Sequence, residues 1–175
     1  MLAIDIGKIK NRAGARLDFQ LAEPTDAAAY GYDSFRLLEP LTISGTAENN
    51  GHTIAVSGEY GSCLELICAR CLQPYRLPVK APLNLFFAAR AKLDADGEQD
   101  VYPYDGESAP LTPHILAEIY FDLPMQPLCR EDCRGICPHC GVDLNQQSCS
   151  CAVQQIDSRW EKLRDLIDDT EKGER

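Results

Sequence analysis

Cysteine is the residue type in this chain whose number and spacing most clearly point to chemistry. Nine cysteines occur in 175 residues. Cys63 stands alone, and the other eight form four close pairs: Cys68 with Cys71, Cys129 with Cys133, Cys137 with Cys140, and Cys149 with Cys151. An odd number of thiols does not fit a closed disulfide framework, whereas closely spaced thiolates are typical zinc ligands. We therefore predict that the paired cysteines hold one or two Zn²⁺ ions in four-cysteine sites, and that Cys63 is a core residue.

The pair Cys137 and Cys140 carries the strongest metal-binding signal. In Cys-Pro-His-Cys-Gly the two-residue spacer lets both thiolates face one ion, and Gly141 permits the tight turn around it. Cys149 and Cys151 follow after a short loop and can complete the site with little closure entropy. The segment around these pairs is too poor in large apolar residues to fold on a core of its own, so metal binding would replace that core.

The remaining two pairs, Cys68 with Cys71 and Cys129 with Cys133, would then share a second ion. The four pairs can be matched in three ways, and loop closure favours this matching without excluding the other two. Two further interpretations of the cysteines are a redox dithiol and an iron–sulfur cluster. Four pairs in one chain argue against the first, and the absence of the long iron–sulfur spacings argues against the second.

Nothing in the sequence predicts an enzyme. The three histidines, His52, His114 and His139, stand in no motif with a nucleophile or a metal-activating glutamate, and no glycine-rich phosphate loop occurs. A zinc ion held by four thiolates keeps no open position for water or substrate. We expect a non-catalytic protein with no catalytic residues and no small-molecule substrate.

An α+β fold is predicted to position the cysteines. Apolar residues alternate on both sides of Asn49-Asn50-Gly51, which predicts a β-hairpin, and they alternate again over 16–21 and 77–87. Pro78 and Pro82 cannot donate to a ladder, so that part of the last strand should lie at an edge. These strands favour a small antiparallel β-sheet or a partly open barrel.

The second half of the chain predicts two helices. Thr112 followed by Pro113 is a good helix start, with Thr112 as the capping residue, and Pro124 should end that helix. Its apolar face would carry Ile115, Leu116, Ile119 and Leu123. A capping box of Ser158 and Glu161 should open a terminal helix, with Trp160, Leu163, Leu166 and Ile167 on one side. The resulting organisation is a β domain with a CxxC knuckle over 1–93, an acidic loop over 94–111, a helix and link packed on the β domain over 112–128, a cysteine-rich zinc segment over 129–152, and a C-terminal helix and tail over 153–175.

Charge and hydropathy restrict where the protein acts. Seventeen Lys and Arg against twenty-seven Asp and Glu give a formal net charge of −10, so any contact with nucleic acid must be local. The start of the chain lacks the apolar run of a signal peptide, and no stretch is long enough to span a membrane, so we expect a cytoplasmic protein without membrane contact. Segments 6–17 and 66–93 hold bases but no acid. The candidate RNA-binding residues are therefore Lys8, Lys10, Arg12, Arg16, Arg70, Arg76 and Lys80, although bases near thiolates are also explained by attraction to a negatively charged zinc site.

The order of these features resembles the bacterial YceD family. The resemblance is carried by Cys68-Ala69-Arg70-Cys71-Leu72, by a helix ending in Leu123-Pro124, by the run from Leu128 to Cys151 with its Cys-Arg-Gly-Ile-Cys-Pro core at 133–138, and by Asp157-Ser158-Arg159-Trp160. It implies a role in accumulation of the large-subunit (23S) ribosomal RNA, and hence binding of precursor rRNA or of a ribosomal protein during ribosome assembly. Segment 94–107, with six acids and no base, could shield a basic ribosomal protein. Two alternatives are a zinc-ribbon protein–protein adaptor unrelated to ribosomes and a thiol-based redox or metal-storage protein.

Overall fold

The computed structural model describes residues 1–90 and 101–151 of the chain. One α-helix and eight strands make up this part, together with a single 3₁₀ turn at Ala28–Tyr30. The strands are β1 (Ala3–Asp5), β2 (Arg16–Glu23), β3 (Arg36–Leu37), β4 (Leu41–Asn49), β5 (Ile54–Ile67), β6 (Pro74–Ala89), β7 (Val101–Tyr104) and β8 (Ser108–Pro110), and the helix is α1 (Thr112–Asp122). The predicted α+β class is confirmed for these residues.

The main sheet has the strand order β2-β4-β5-β6-β7, with β3 paired to β5, and it curls into a half-barrel. Its pairings are antiparallel except for β6 with β7, which run parallel. The predicted hairpin is confirmed, since Ala47 faces Val56 across β4 and β5. Pro78 and Pro82 lie in the stretch of β6 that pairs with β5 on one side only, within the described residues. The prediction that this stretch lies at an edge therefore holds for the described residues, and an edge is where a strand tolerates proline.

Strands β4 and β5 approach closely where Gly45 of β4 faces Gly58 of β5. A Cβ on Gly45 would lie 2.8 Å from the Cα of Gly58 and closer still to the carbonyl oxygen of Ser57. The two backbones approach closely because neither residue carries a side chain.

Helix α1 and the small β1–β8 sheet lie against the main sheet and complete the core. Ile115, Leu116 and Ile119 are buried, as the predicted apolar face requires. Thr112, however, does not cap the helix. The capping position is Leu111, with no side-chain hydrogen bond, and the buried Thr112 hydroxyl instead accepts a bond from the Leu2 amide at 2.8 Å. The prediction of a capping role is wrong because pairing with the N-terminal strand, which is remote in sequence, uses this hydroxyl.

The prediction of an acidic loop over 94–111 is corrected in its second half. Strands β7 and β8 occupy most of 101–110, because Tyr102 packs on His114 with ring centroids 3.7 Å apart and Ala109 is fully buried. The acids there are exposed and meet bases, as Asp105 does with Arg90 at 3.0 Å. Residues 94–100 and the predicted C-terminal helix over 153–175 lie outside the described residues.

Candidate metal centres

The first cysteine pair lies in the tight connection between β5 and β6. The Cys68 amide donates to the Gln73 carbonyl at 3.0 Å, and the Leu72 amide donates to the Cys68 carbonyl at 2.9 Å. Leu72 has a φ of 57°, the left-handed conformation that closes the turn. Cys68 and Cys71 therefore project from one rigid knuckle at the end of the long hairpin.

The chain that follows α1 brings Cys129 and Cys133 to this knuckle. The Ala69 amide donates to the Pro127 carbonyl at 2.7 Å, just before the second pair of cysteines. The guanidinium of Arg70 donates to the carbonyl of Cys133, the second cysteine of that pair, at 2.9 Å. These two bonds hold the two cysteine pairs face to face.

Cys68, Cys71, Cys129 and Cys133 form what we call the inner group. The Sγ atoms of Cys68 and Cys133 are 3.8 Å apart, those of Cys71 and Cys129 are 3.7 Å apart, and all four lie within 4.8 Å of one another. A tetrahedral ion with Zn–S bonds of about 2.3 Å would place its sulfurs about 3.8 Å apart. The geometry of the inner group therefore fits a tetrahedral thiolate-bound metal ion.

Cys137, Cys140, Cys149 and Cys151 form the outer group, whose Sγ atoms also lie within 4.8 Å of one another. Its knuckle repeats the inner one: the Gly141 amide donates to the Cys137 carbonyl at 2.9 Å, and Gly141 has a φ of 73°. Cys137 is buried, whereas Cys140 is exposed. The outer group is therefore open to solvent on one side, in contrast to the inner group.

The two groups are joined at Gly135 and Asn145. The Ile136 amide donates to the Arg70 carbonyl at 3.1 Å, and a Cβ on Gly135, whose φ is 73°, would lie 2.9 Å from that same oxygen. The Asn145 side chain accepts from the Arg134 amide at 2.9 Å and donates to the Cys133 sulfur at 3.5 Å. Sequence reasoning assigned no role to Asn145. Its position in the cysteine run offered no chemical signal, because an amide that donates to a thiolate is recognised only from its contact.

Hydrogen bonds from the backbone lower the pKa of one thiol in each group and so favour its thiolate. Burial opposes ionisation of Cys68, but backbone amides of Cys71, Cys129 and Arg70 donate to its sulfur and lower its pKa to about 6. In the outer group the amides of Cys140 and His139 act in the same way on Cys137 and lower its pKa to about 6.

The last thiols to ionise are those beside an existing thiolate. Burial and the neighbouring cysteines raise the pKa of Cys129 to about 12. Hydrogen bonding to Cys140 and burial raise the pKa of Cys151 to about 12. Four clustered thiolates repel one another unless a cation neutralises them, so the donor set of each group matches a divalent ion.

The structure thus selects one of the three matchings of the cysteine pairs that the spacing left open. It joins Cys68 and Cys71 with Cys129 and Cys133, and it joins the two later pairs. Either group could hold a metal ion. Cys63 is buried outside both groups, as predicted for a core residue, and the described residues contain no other such cluster of metal-ligating side chains.

The candidate RNA-binding residues do not form one patch free of acids. Lys10 pairs with Glu107 at 2.8 Å, Arg16 with Glu48 at 3.1 Å, and Lys80 with Glu59 at 3.0 Å, each acid being remote from its base in sequence. Arg70 is exposed, but its guanidinium is bonded to the Cys133 carbonyl. Lys8, Arg12 and Arg76 are exposed and have no carboxylate within 4.0 Å among the residues described. Arg76 and Lys80 both point away from the core-facing row of β6, as predicted from their spacing.

No helix in the described part of the chain is long and apolar enough to cross a membrane. Sequence comparison identifies relatives over most of the chain. The family described as "Large ribosomal RNA subunit accumulation protein YceD" matches residues 56–167. No solved structure matches the chain.

Three relatives illustrate the range of similarity. An uncharacterised protein of Mycobacterium tuberculosis is 31% identical, with 99% of this chain and 86% of the relative covered. The Zea mays protein named "Large ribosomal RNA subunit accumulation protein YCED homolog 1, chloroplastic" is 28% identical over 67% of this chain and 50% of its own. The uncharacterised Bacillus subtilis protein YlbN is 24% identical over 75% of this chain and 77% of its own.

Proposed function

This chain belongs to the YceD family of large ribosomal RNA subunit accumulation proteins, and from that premise we propose that it is a non-catalytic factor for accumulation of large-subunit (23S) rRNA during ribosome assembly. The observation that carries the proposal is the family match over 56–167, which includes most of β5, all of β6 and α1, and all eight paired cysteines. The role would be exercised in the cytoplasm, where rRNA is assembled and thiols remain reduced.

Zinc is the ion that we propose for both cysteine groups. Four thiolates at tetrahedral spacing suit Zn²⁺, and a four-thiolate site is closed to water and substrate. When bound, zinc would supply structural cohesion. The inner group would fasten the cysteine segment to the end of the β5–β6 hairpin, and the outer group would fold that segment on itself. The closed coordination supports a role in positioning rather than in catalysis.

The partner in this proposal is precursor large-subunit rRNA or a ribosomal protein that assembles on it. Contact with RNA would use bases that are not already paired, above all Arg76 on the outward face of β6. Contact with a basic ribosomal protein is supported by the net charge of −10. Both partners belong to the same assembly step, so one genetic experiment tests the shared function.

That experiment compares mature large-subunit and small-subunit rRNA in a deletion strain of the source organism. We expect the ratio of large-subunit to small-subunit rRNA to fall, and to recover when the wild-type gene is returned. A matched pair of complementing genes tests the structural role of the metal: Cys68→Ser should fail to restore the ratio, whereas Cys63→Ser, which changes a cysteine outside both groups, should restore it. An unchanged ratio in the deletion strain at every growth temperature would refute the proposed function.

The RNA contact is tested by charge reversal on β6. Arg70, Arg76 and Lys80 were the residues predicted in this region, but replacing Arg70 would also break its bond to Cys133, and Lys80 already pairs with Glu59, so the informative variant is Arg76→Glu. We expect weaker binding to a large-subunit rRNA fragment, with a salt dependence flatter by roughly one unit of log slope per lost phosphate contact. Arg90→Glu is the matched control because Arg90 lies just beyond the opposite end of β6 and already pairs with Asp105 at 3.0 Å. Equal binding by all three proteins would remove β6 from the RNA contact.

A further inference from the structure

An apolar groove lies at the C-terminal end of α1 and is used by nothing else in the described fold. Its volume is about 480 Å³, and it is lined by Leu66, Tyr120, Phe121, Met125 and Pro127, among others. The Phe121 side chain is 81% exposed and Met125 is fully exposed. We call this feature the α1 groove. Large apolar side chains that contribute so little to the core indicate an interaction surface.

Aromatic packing holds one wall of the groove in place. The ring of Tyr120 lies 5.4 Å from that of Tyr32, and Tyr32 in turn stacks on the buried Phe35 at 6.1 Å. On the other side, Pro127 is fixed to the inner knuckle by the bond from Ala69. The groove is therefore preformed between two rigid parts of the molecule, which lowers the cost of binding.

Two exposed acids flank the α1 groove without lining it. Asp33 precedes Ser34, which lines the groove, and Asp122 lies at the end of α1, where it also lines the neighbouring depression that contains Lys80. No charged residue is among those that line the groove. The nearest base along β3, Arg36, already faces Glu65. The inner cysteine group beyond Pro127 would add a charge of about −2 when it holds a divalent ion.

We propose that the α1 groove binds a basic protein segment that carries apolar side chains, of the kind found in newly made ribosomal proteins. This inference rests on the proposed function. Of the two partners named there, RNA and a ribosomal protein, it assigns the protein to this groove. Apolar anchors would fill the groove between Phe121 and Met125, and flanking Lys and Arg would face Asp33 and Asp122. RNA suits this surface poorly, because Asp33 and Asp122 would repel its phosphates and no base lines the groove to attract them.

Charge also argues against the chain's own C-terminal segment as the occupant. Residues 152–175 contain the apolar residues Trp160, Leu163 and Leu166, but they contain more acids than bases. An acidic segment gains no attraction from Asp33 and Asp122, whereas a basic partner does.

The test measures binding of a labelled synthetic peptide rich in Lys and Arg, with Phe and Leu as apolar anchors, to the full-length metal-loaded protein by fluorescence anisotropy. The double variant Phe121→Ser with Met125→Ser should weaken binding at least tenfold, because it removes the side chains that the anchors contact. The variant Asp33→Asn with Asp122→Asn should weaken binding a few-fold at low salt and flatten its salt dependence. Both pairs change exposed side chains, so the fold should survive, as a circular dichroism spectrum would verify.

The matched control is Phe86→Ser, which changes a Phe that is 42% exposed at the far end of β6, beside β7. This variant should bind the peptide as the wild type does. A control peptide with Ser in place of its Phe and Leu should bind weakly to every variant. Equal affinity of wild type and the Phe121 and Met125 variant for the anchored peptide would overturn the proposal.

Other occupants would give distinct signals. Trp160 is the only tryptophan, so a red shift of its emission in the Phe121 and Met125 variant would place the C-terminal segment on the groove and overturn the proposal. A wild-type dimer that this variant separates would overturn it in favour of a second copy. Loss of rRNA-fragment binding in the variant, with no peptide binding by the wild type, would overturn it in favour of RNA.

Failure of this inference is distinguishable from failure of the proposed function. If the peptide does not bind but deletion of the gene still lowers large-subunit rRNA, the groove proposal falls and the function stands. If the peptide binds and the rRNA ratio is unchanged, the groove remains a site for basic segments and the ribosomal role falls.

Discussion

Replacing Gly135 by Ala tests how the two cysteine groups are held together. Gly135 lies between Cys133 of the inner group and Cys137 of the outer group, with a φ of 73°. An alanine Cβ at this position would lie 2.9 Å from the carbonyl oxygen of Arg70 and 3.3 Å from the Arg70 Cβ. Because the Arg70 carbonyl oxygen belongs to the backbone, the segment that carries Gly135 would have to move away from the inner knuckle.

The expected cost has two parts. The left-handed conformation costs a residue with a Cβ about 1–2 kcal/mol. Displacing the backbone of Arg70 adds about 1–3 kcal/mol, as overpacking does elsewhere, and weakens the bond from the Ile136 amide to the Arg70 carbonyl. We therefore expect Gly135→Ala to lower the free energy of unfolding by about 2–5 kcal/mol.

Gly141→Ala is the matched control. Gly141 has the same φ of 73°, but no atom lies within 4 Å of the position of its Cβ. It should therefore cost only the conformational part, about 1–2 kcal/mol. Urea unfolding of the metal-loaded proteins, followed by far-ultraviolet circular dichroism, measures both costs. Metal content determined before unfolding shows whether each variant still holds its ions.

The difference between the two variants isolates the close approach to Arg70. A difference of about 1–3 kcal/mol, with Gly135→Ala the less stable, would support the geometry. Equal losses of stability, or a more stable Gly135→Ala protein, would refute the reasoning that this contact joins the two groups.

Three other predictions follow from the same structure. Freshly prepared, reduced protein should carry up to two zinc ions, and Cys137→Ser should remove one while most of the β-sheet circular dichroism remains; atomic absorption showing no zinc in the wild type would contradict this. Gly45→Ala should prevent stable folding because its Cβ would collide with β5. Gly61→Ala should fold, since the atom nearest to its Cβ would lie at 3.3 Å. Thermal melts that do not separate the two variants would count against the close approach of β4 and β5. Burial, Glu118 and Asp122 raise the pKa of Tyr60 to about 12. The neutral Tyr60 hydroxyl therefore contributes to the free energy of unfolding below pH 10, and this contribution is lost as the pH rises from 10 to 12. Tyr60→Phe should remove that part of the pH dependence of stability, and an unchanged pH dependence would exclude Tyr60 as its source.

Strands, hairpin and helix could be predicted from the sequence because their signals are local. Alternation places Leu83, Leu85 and Phe87 on one side of β6, and all three are buried. The helical spacing of Ile115 and Ile119 likewise follows from the period of a helix on a core. Paired cysteines were equally visible, because a spacer of one to three residues is enough to aim two thiolates at one ion.

Contacts between distant segments were not predictable in this way. Thr112 has the sequence context of a helix cap, but its hydroxyl is taken by Leu2, which is 110 residues away. Lys10, Arg16 and Lys80 stand in segments without acids, but strand pairing brings an acid to Arg16 and to Lys80, and packing of the turn before β8 brings Glu107 to Lys10. Local charge counts cannot show such neighbours, since the register of a sheet decides which side chains meet across it.

The inner metal centre combines local and long-range information in one site. The sequence identifies its ligands and their chemistry at Cys68, Cys71, Cys129 and Cys133. Their assembly joins positions 58 residues apart, Cys71 and Cys129, and only the tertiary structure decides it. Closing so long a loop costs entropy that spacing alone cannot offset. The long β5–β6 hairpin, the packing of α1 on the core and the bond from Ala69 to Pro127 place the second pair beside the first, so the fold selects the matching that the sequence left open.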